Sequence, residues 1–164
     1  MNGVTAQSQR DKGVNYHLNW GANLLHLQEM AREYEPSFQL ATLLWGDNIR
    51  ECKILAAMLM PSDEFPMELA VEWIKQTPTQ EIAEIVSKYL FSHLPYAKFL
   101  AISLLDTSDS IESIYAFCIL GSVKDLTEKE KGIVVSYANK VLNNTDLPMG
   151  VRHLALNTLH RINQ

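Results

Sequence analysis

The chain has 164 residues, of which 47% are hydrophobic and 20% are charged, and this balance is typical of a folded globular protein rather than a disordered one. Its formal net charge of −5 argues against a protein that coats nucleic acid non-specifically, because such binding needs a basic surface, although a locally basic groove is compatible with it. The seven glycines and six prolines are too few for the many tight turns of a β-rich fold.

Amphipathic helical periodicity runs from about residue 23 to the end of the chain, with short joints and no strand-like alternation. Glycine or proline stands at several of these joints, where it begins or ends a helix. The sequence therefore predicts about nine or ten helices. In chain order, the segments predicted as helical are residues 23–34, 36–46, 48–60, 66–76, 78–89, 95–105, 110–120, 128–142 and 148–162.

Side chains that can accept backbone N–H bonds stand before several predicted helices, and such residues are favoured at the N-cap. Thr127 and Glu130 have the spacing of a capping box, in which each residue satisfies a backbone donor of the other. The other predicted N-caps are Asn23, Asp47, Thr77 and Asp109.

Residues 43–59 resemble residues 104–120, since each segment has a helix end, an Asp cap and an apolar helix. Asp47 and Asp109 are separated by about two units of ~31 residues, which is in the range of helical repeats. Short loops make neighbouring helices antiparallel, and stacked antiparallel pairs curve around a concave surface. We therefore expect a single domain over residues 1–164, an all-α superhelix of HEAT-like antiparallel helix pairs.

Cys52 and Cys118 fall in apolar helical runs, which indicates reduced, buried core residues rather than a disulfide or a nucleophile. The N-terminus has no apolar signal region, and no stretch approaches the ~18 apolar residues of a membrane span. His153 and His160 do not have the spacing of three or four that a zinc pair on a helix needs. We expect a cytoplasmic protein with no membrane partner, no metal and no cofactor.

Two polar stripes are candidates for function. Gln80, Glu84 and Lys88 recur every four residues, as expected either of a solvated face with a Glu84–Lys88 pair or of a carboxylate in a groove, and the pattern alone favours the solvated face. A second stripe on the last helix is either solvated surface, the default, or a patch that contacts phosphates. It comprises His153, Asn157 and His160, with Arg152 and Arg161 beside it.

The tryptophans give little indication of function. Trp45 and Trp73 lie beside apolar stripes, which favours core packing over a base-stacking platform, whereas Trp20 precedes Gly21 in a predicted loop and is undecided. Lys53 adds an isolated positive charge that the pattern assigns to no particular face.

Residues 16–60, YHLNWGANLLHLQEMAREYEPSFQLATLLWGDNIRECKILAAMLM, resemble the N-terminal half of the bacterial DNA alkylation repair enzymes, the AlkD-like glycosylases. The shared features are a helix preceded by glycine, an Ala-x-x-Tyr helix end, the pattern Leu-Ala-x-x-Leu-Trp, and an Arg-Glu pair that leads into an apolar helix. The resemblance continues more faintly through residues 72–91 and 108–120 and covers most of the chain.

This resemblance implies a superhelix of HEAT-like repeats whose concave face holds duplex DNA. Active members excise positively charged alkylated purines, largely without capturing the base in a pocket. In that family an Asp carboxylate stabilises the cationic sugar, aromatic residues contact the deoxyribose and the lesion, and an Arg holds the backbone.

The chain departs from the family pattern at these positions. Where the family has Trp-Asp-x-x-Asp, the chain has Gln80-Glu81-x-x-Glu84, so that Glu84 stands at the catalytic carboxylate position. Tyr115 or a neighbour aligns with the groove Arg, and Asn157 aligns with a late Trp. Without aromatic contacts and an anchor for the backbone, positioning should fail, so we expect that efficient base excision has been lost.

Two functions remain open at this point. The first is a DNA-binding, DNA-repair-like protein with residual glycosylase activity through Glu84 at most, and its DNA affinity should fall steeply with salt. The second is a non-enzymatic scaffold that binds a protein or peptide, which exposure of Tyr115, Phe117 and Trp73 together would favour. The residues expected to contact DNA are Lys53, Lys88, Tyr115, Arg152, His153, Asn157 and His160.

Overall fold

The computed structural model describes residues 21–163, and the regular secondary structure in this range is helical, with no β-strand. The all-α class is therefore confirmed. Nine α-helices lie in the described residues, together with a 3-10 turn at Phe91–His93. The helices are α1 Leu24–Arg32, α2 Phe38–Gly46, α3 Arg50–Leu59, α4 Met67–Lys75, α5 Gln80–Tyr89, α6 Ala97–Ser103, α7 Ser110–Leu120, α8 Glu128–Asn143 and α9 Met149–Ile162. None of them combines the length and the apolar character needed to span a bilayer.

Three of the predicted N-caps are confirmed. Asn23 accepts the backbone N–H of His26 at 2.8 Å, and the Asp109 carboxylate accepts the N–H groups of the second and third residues of α7. Thr127 and Glu130 form the full capping box at the start of α8. These caps depend only on residues within one turn, which is why the local sequence predicts them.

Two predicted N-caps are wrong. Asp47 ends α2 instead of beginning α3, and Ile49 precedes α3 without a side-chain cap. Thr79, one turn before Ile82, caps α5 in place of Thr77. The Thr77 hydroxyl instead donates a buried hydrogen bond of 2.7 Å to the carbonyl oxygen of Trp73 in α4.

The described residues form two compact units, one ending at Pro66 and the other beginning at Met67. In the first unit, α3 packs against both α1 and α2. The second half of α3 is mostly buried, as its apolar sequence predicts, with Leu55 and Met58 half-buried, and its N-terminal turn buries charged side chains as well.

These buried charges join α3 to backbone groups of the first unit. The Arg50 guanidinium donates to the carbonyl of Ala22 at 2.9 Å, and Glu51 Oε1 accepts from the N–H of the same residue at 3.3 Å. Lys53 Nζ donates to the Trp45 carbonyl at 2.8 Å and lies 4.4 Å from the Trp45 ring centroid. Burial lowers the pKa of Lys53. These charges therefore serve packing, since each is paired inside the protein.

In the second unit, α7 is the central helix, and α4, α5, α6 and α9 all pack against it. Beyond its first turn this helix is apolar on every side, and such a helix has to be covered by its neighbours. Helix α8 packs against α9. Trp45 in the first unit and Trp73 in the second are both buried, which confirms their prediction as core residues, whereas Trp20 lies outside the described residues.

Tyr115 joins α7 to the end of α4 by a buried hydrogen bond. Its hydroxyl lies 2.8 Å from Thr77 Oγ1. The single Thr77 proton points to the Trp73 carbonyl, so Tyr115 is the donor of this bond. Its ring stacks on Phe91 at a centroid distance of 5.0 Å, and burial raises the pKa of Tyr115 well above its usual value.

Replacing Tyr115 by Phe should lower the free energy of unfolding by about 1 kcal/mol, because it removes one buried hydrogen bond and keeps the ring stack. Tyr34→Phe is the control, since Tyr34 is exposed, and it should change stability little. Urea denaturation followed by circular dichroism measures both. Equal stability of Tyr115→Phe and the wild type would show that the Thr77–Tyr115 bond contributes nothing.

Candidate functional site

A cleft of about 560 Å³ opens in the second unit, lined by residues of α5, α7 and α9 and of the turn after α5. The half-buried Leu154 supplies apolar surface on its wall, with the buried Phe117 beneath. Its charged and amide-bearing residues come from the two predicted polar stripes and are Glu84 and Lys88 of α5 together with Asn157 and Arg161 of α9.

On α5, Glu84 and Lys88 are one helical turn apart, and both are exposed. Glu84 Oε1 accepts a hydrogen bond of 2.6 Å from Gln80 Nε2, one turn toward the N-terminus. Although both residues belong to the described range, Glu84 and Lys88 form no ion pair there. Lys88 Nζ instead lies 5.2 Å from the ring centroid of Tyr89. The Glu84–Lys88 pair expected of a solvated face is therefore replaced by a Gln80–Glu84 bond.

On α9, the buried residue Thr158 holds the helix against α7. Its hydroxyl is shared between the carbonyl oxygens of Phe117 at 3.2 Å and Leu154 at 2.9 Å. Asn157 and Arg161, which are exposed, flank this anchor and line the cleft. Two stripes some seventy residues apart in sequence are thus brought to one site.

The other predicted DNA-contacting residues lie elsewhere. Lys53 is buried in the first unit with its ammonium on the Trp45 carbonyl, and Tyr115 is buried in the core of the second, so neither side chain can contact DNA in this structure. The expectation for these two residues is corrected accordingly. His153 and His160 are exposed, and Arg152 is half-buried, but none of the three lines the cleft.

The sequence did not predict His93 and Cys118, the other two titratable residues of the cleft, as part of a site. His93 follows α5 in the 3-10 turn, and its Nε2 lies 3.1 Å from the carbonyl oxygen of Lys88. Cys118 was expected to be a buried core residue, yet it is half-buried and lines the cleft. Because α7 is apolar on every side, its sequence carries no signal for which position faces an opening.

The Cys118 thiol is poorly suited to act as a nucleophile. Burial is the main cause that raises its pKa to about 12, and the nearby Glu84 carboxylate adds to it. The thiolate is the reactive form of cysteine, and it is scarce near neutral pH when the pKa is this high. Near neutral pH, Cys118 is therefore present in the cleft as the protonated thiol.

We expect Cys118 to react slowly with iodoacetamide at pH 8 in the native protein. With its pKa at about 12 instead of 9.0, the thiolate is about a thousandfold scarcer than that of an unperturbed cysteine. Peptide mapping by mass spectrometry gives the rate for each cysteine, with the protein unfolded in urea as the reference. Modification of native Cys118 at the unfolded rate would contradict the raised pKa.

The cleft lacks the features of several other site types. Trp45 and Trp73 are the tryptophans of the described residues, and neither lines it. Between residues 21 and 163, no three His, Cys, Asp or Glu side chains are grouped so as to hold a metal ion. The groups available for chemistry are one carboxylate, two cations, an amide, an imidazole, a thiol and hydroxyls.

Comparison with protein-family models, with curated proteins and with solved structures found no match to this chain. Membership of the AlkD-like family therefore stays a prediction from the sequence. The function has to be argued from the cleft itself.

Proposed function

We propose that this protein binds the backbone of duplex DNA in the cleft of its second unit, as a divergent AlkD-like protein that does not excise bases efficiently. The observation that carries the proposal is the meeting of the two polar stripes. Lys88 and Asn157, chosen from sequence as DNA contacts, line one cleft with Glu84, the residue aligned with the catalytic carboxylate.

The charge of the cleft supports a phosphate ligand. Lys88 and Arg161 are its two permanent cations, and Glu84 is the one carboxylate among its lining residues. The Asn157 amide adds hydrogen-bond donors, and Lys, Arg and Asn are all common partners of phosphate oxygens. The cleft thus carries a local positive excess, although the whole chain has a net charge of −5.

The packing of the helices supports the HEAT-like architecture that belongs to this proposal. Consecutive helices pack together in α2–α3, α6–α7 and α8–α9. Helices α3 and α7, which come from the two similar sequence segments, are each the buried central helix of their unit. This is the arrangement expected when helix pairs stack and each buries a face against the next.

The peptide scaffold is less favoured. A peptide-binding scaffold would be favoured by the joint exposure of Tyr115, Phe117 and Trp73. All three side chains are instead at most 1% exposed. The aromatic surface that would anchor a peptide is therefore taken up by the core. We retain DNA as the ligand.

Inefficient excision follows from what surrounds Glu84. A carboxylate can stabilise a developing cation, but it lowers the barrier fully only when the substrate is held in place. The position of the family tryptophan holds Gln80, and the position aligned with the groove arginine holds the buried Tyr115. Glu84 therefore lacks the tryptophan and the arginine that the family has at these two positions.

DNA binding should weaken when either cation of the cleft is removed. We expect Lys88→Ala and Arg161→Ala each to lower the affinity several-fold and to reduce the slope of log K against log salt by about 1, because each removes one phosphate contact. Fluorescence anisotropy with a labelled duplex over a range of salt concentrations measures both effects.

The control for this experiment is Lys129→Ala, since Lys129 is an exposed lysine of α8 that does not line the cleft. It should leave the affinity and the slope close to those of the wild type. If all three variants bind alike, or if the wild-type affinity does not depend on salt, the cleft is not the DNA site.

Base excision is tested separately with duplex DNA treated with a methylating agent. We expect the wild type to release methylated purines no faster than the Glu84→Gln variant, because the aromatic and arginine side chains that position the substrate in the family are absent beside Glu84. Chromatography of the released bases over time gives the rates. Release at the rate of an active AlkD-like enzyme, abolished by Glu84→Gln, would refute the loss of activity and leave DNA binding intact.

A further inference from the structure

The start of α9 is in direct contact with the Gln80 side chain of α5. Gly150 is the second residue of α9, and a Cβ atom added to it would lie 2.8 Å from Gln80 Cδ and 2.5 Å from Gln80 Nε2. A methyl group at residue 150 and the present position of the Gln80 amide therefore exclude each other. Gly132 of α8 makes a useful contrast, since a Cβ there would meet nothing within 4 Å.

The amide that packs on Gly150 is the same one that binds Glu84. Gln80 Nε2 donates to Glu84 Oε1 at 2.6 Å, and Gln80 is half-buried while Glu84 is exposed. The amide therefore lies in the space that a side chain at residue 150 would enter, and from this position it binds the Glu84 carboxylate.

Glu84 has two candidate partners on α5, one on each side. Gln80 is four residues before it, and Lys88 is four residues after it. A glutamate four residues before a lysine is the favourable order for an ion pair on a helix. The carboxylate is nevertheless bonded to Gln80, and it makes no ion pair with Lys88 even though both residues are described.

We propose that Gln80, whose amide occupies the space left open by Gly150, is a positioning residue that draws the Glu84 carboxylate away from Lys88 and so keeps the Lys88 ammonium available to an anionic ligand of the cleft. This inference rests on the proposed function in one respect, namely that the anion is a DNA phosphate. The positioning itself is a property of the free protein and is tested without DNA.

In the free protein, the test is whether Glu84 moves to Lys88 when Gln80 is removed. We expect nuclear Overhauser effects between the Lys88 Hε and Glu84 Hγ protons in Gln80→Ala and in Gly150→Ala, and none in the wild type or in Gly132→Ala. Circular dichroism confirms that each variant is folded. Spectra of Gln80→Ala and Gly150→Ala that lack these effects would overturn the positioning role.

With DNA, the test is a double-mutant cycle by fluorescence anisotropy at low salt. Gln80→Ala and Gly150→Ala should each weaken binding about twofold, the factor that matches an exposed Glu–Lys pair which the phosphate must displace. Glu84→Gln should strengthen binding, because it removes the competing carboxylate. In the Glu84→Gln background, Gln80→Ala should have no further effect.

The double-mutant cycle distinguishes a positioning role of Gln80 from a purely structural one. If Gln80→Ala weakens binding equally with and without the Glu84 carboxylate, Gln80 acts through structure alone and the inference is wrong. If the wild type binds no DNA while the Overhauser effects appear as expected, the DNA proposal fails and the positioning stands. Gly132→Ala should bind DNA like the wild type, since its added methyl group contacts nothing.

Discussion

A helix that is apolar on every side has to be covered on every side, and this constraint organises the second unit. Helix α7 meets it over most of its surface by packing against four other helices, and it leaves the half-buried Cys118 facing the cleft that α5 and α9 also line. Two buried polar contacts hold neighbouring helices to α7. The Thr158 hydroxyl bonds α9 to it, and the Tyr115–Thr77 bond joins it to the end of α4. The helices that carry the polar side chains of the cleft have fixed positions, because their inner faces pack against α7.

The sequence predicts what depends on neighbouring residues. The all-α class, the caps at Asn23, Asp109 and Thr127, and the burial of Trp45 and Trp73 all follow from patterns within a few turns of helix. Each of these features is governed by backbone donors or by apolar periodicity, which the local sequence contains.

Features that depend on packing between helices were mispredicted or missed. Asp47 and Thr77 have suitable side chains for capping, but Thr77 is bonded to Trp73 and Tyr115 instead. Lys53 lies in a helix that is buried on nearly all sides, so its charge gives no indication of its partner, the Trp45 carbonyl. The half-buried state of Cys118 likewise depends on where α9 lies relative to α7. The meeting of the two stripes could be hypothesised from sequence but not placed, because the rotation of each helix about its axis is set by tertiary contacts.

The contact between Gly150 and Gln80 has a consequence for comparing chains of this type. The potential that a ligand meets in the cleft depends on which neighbour Glu84 selects, and that selection depends on the absence of a side chain on another helix. Two relatives with identical formal charge could therefore differ in anion affinity through a single methyl group. Counting acidic and basic residues would not detect such a difference, whereas inspecting the residue at the second position of α9 would.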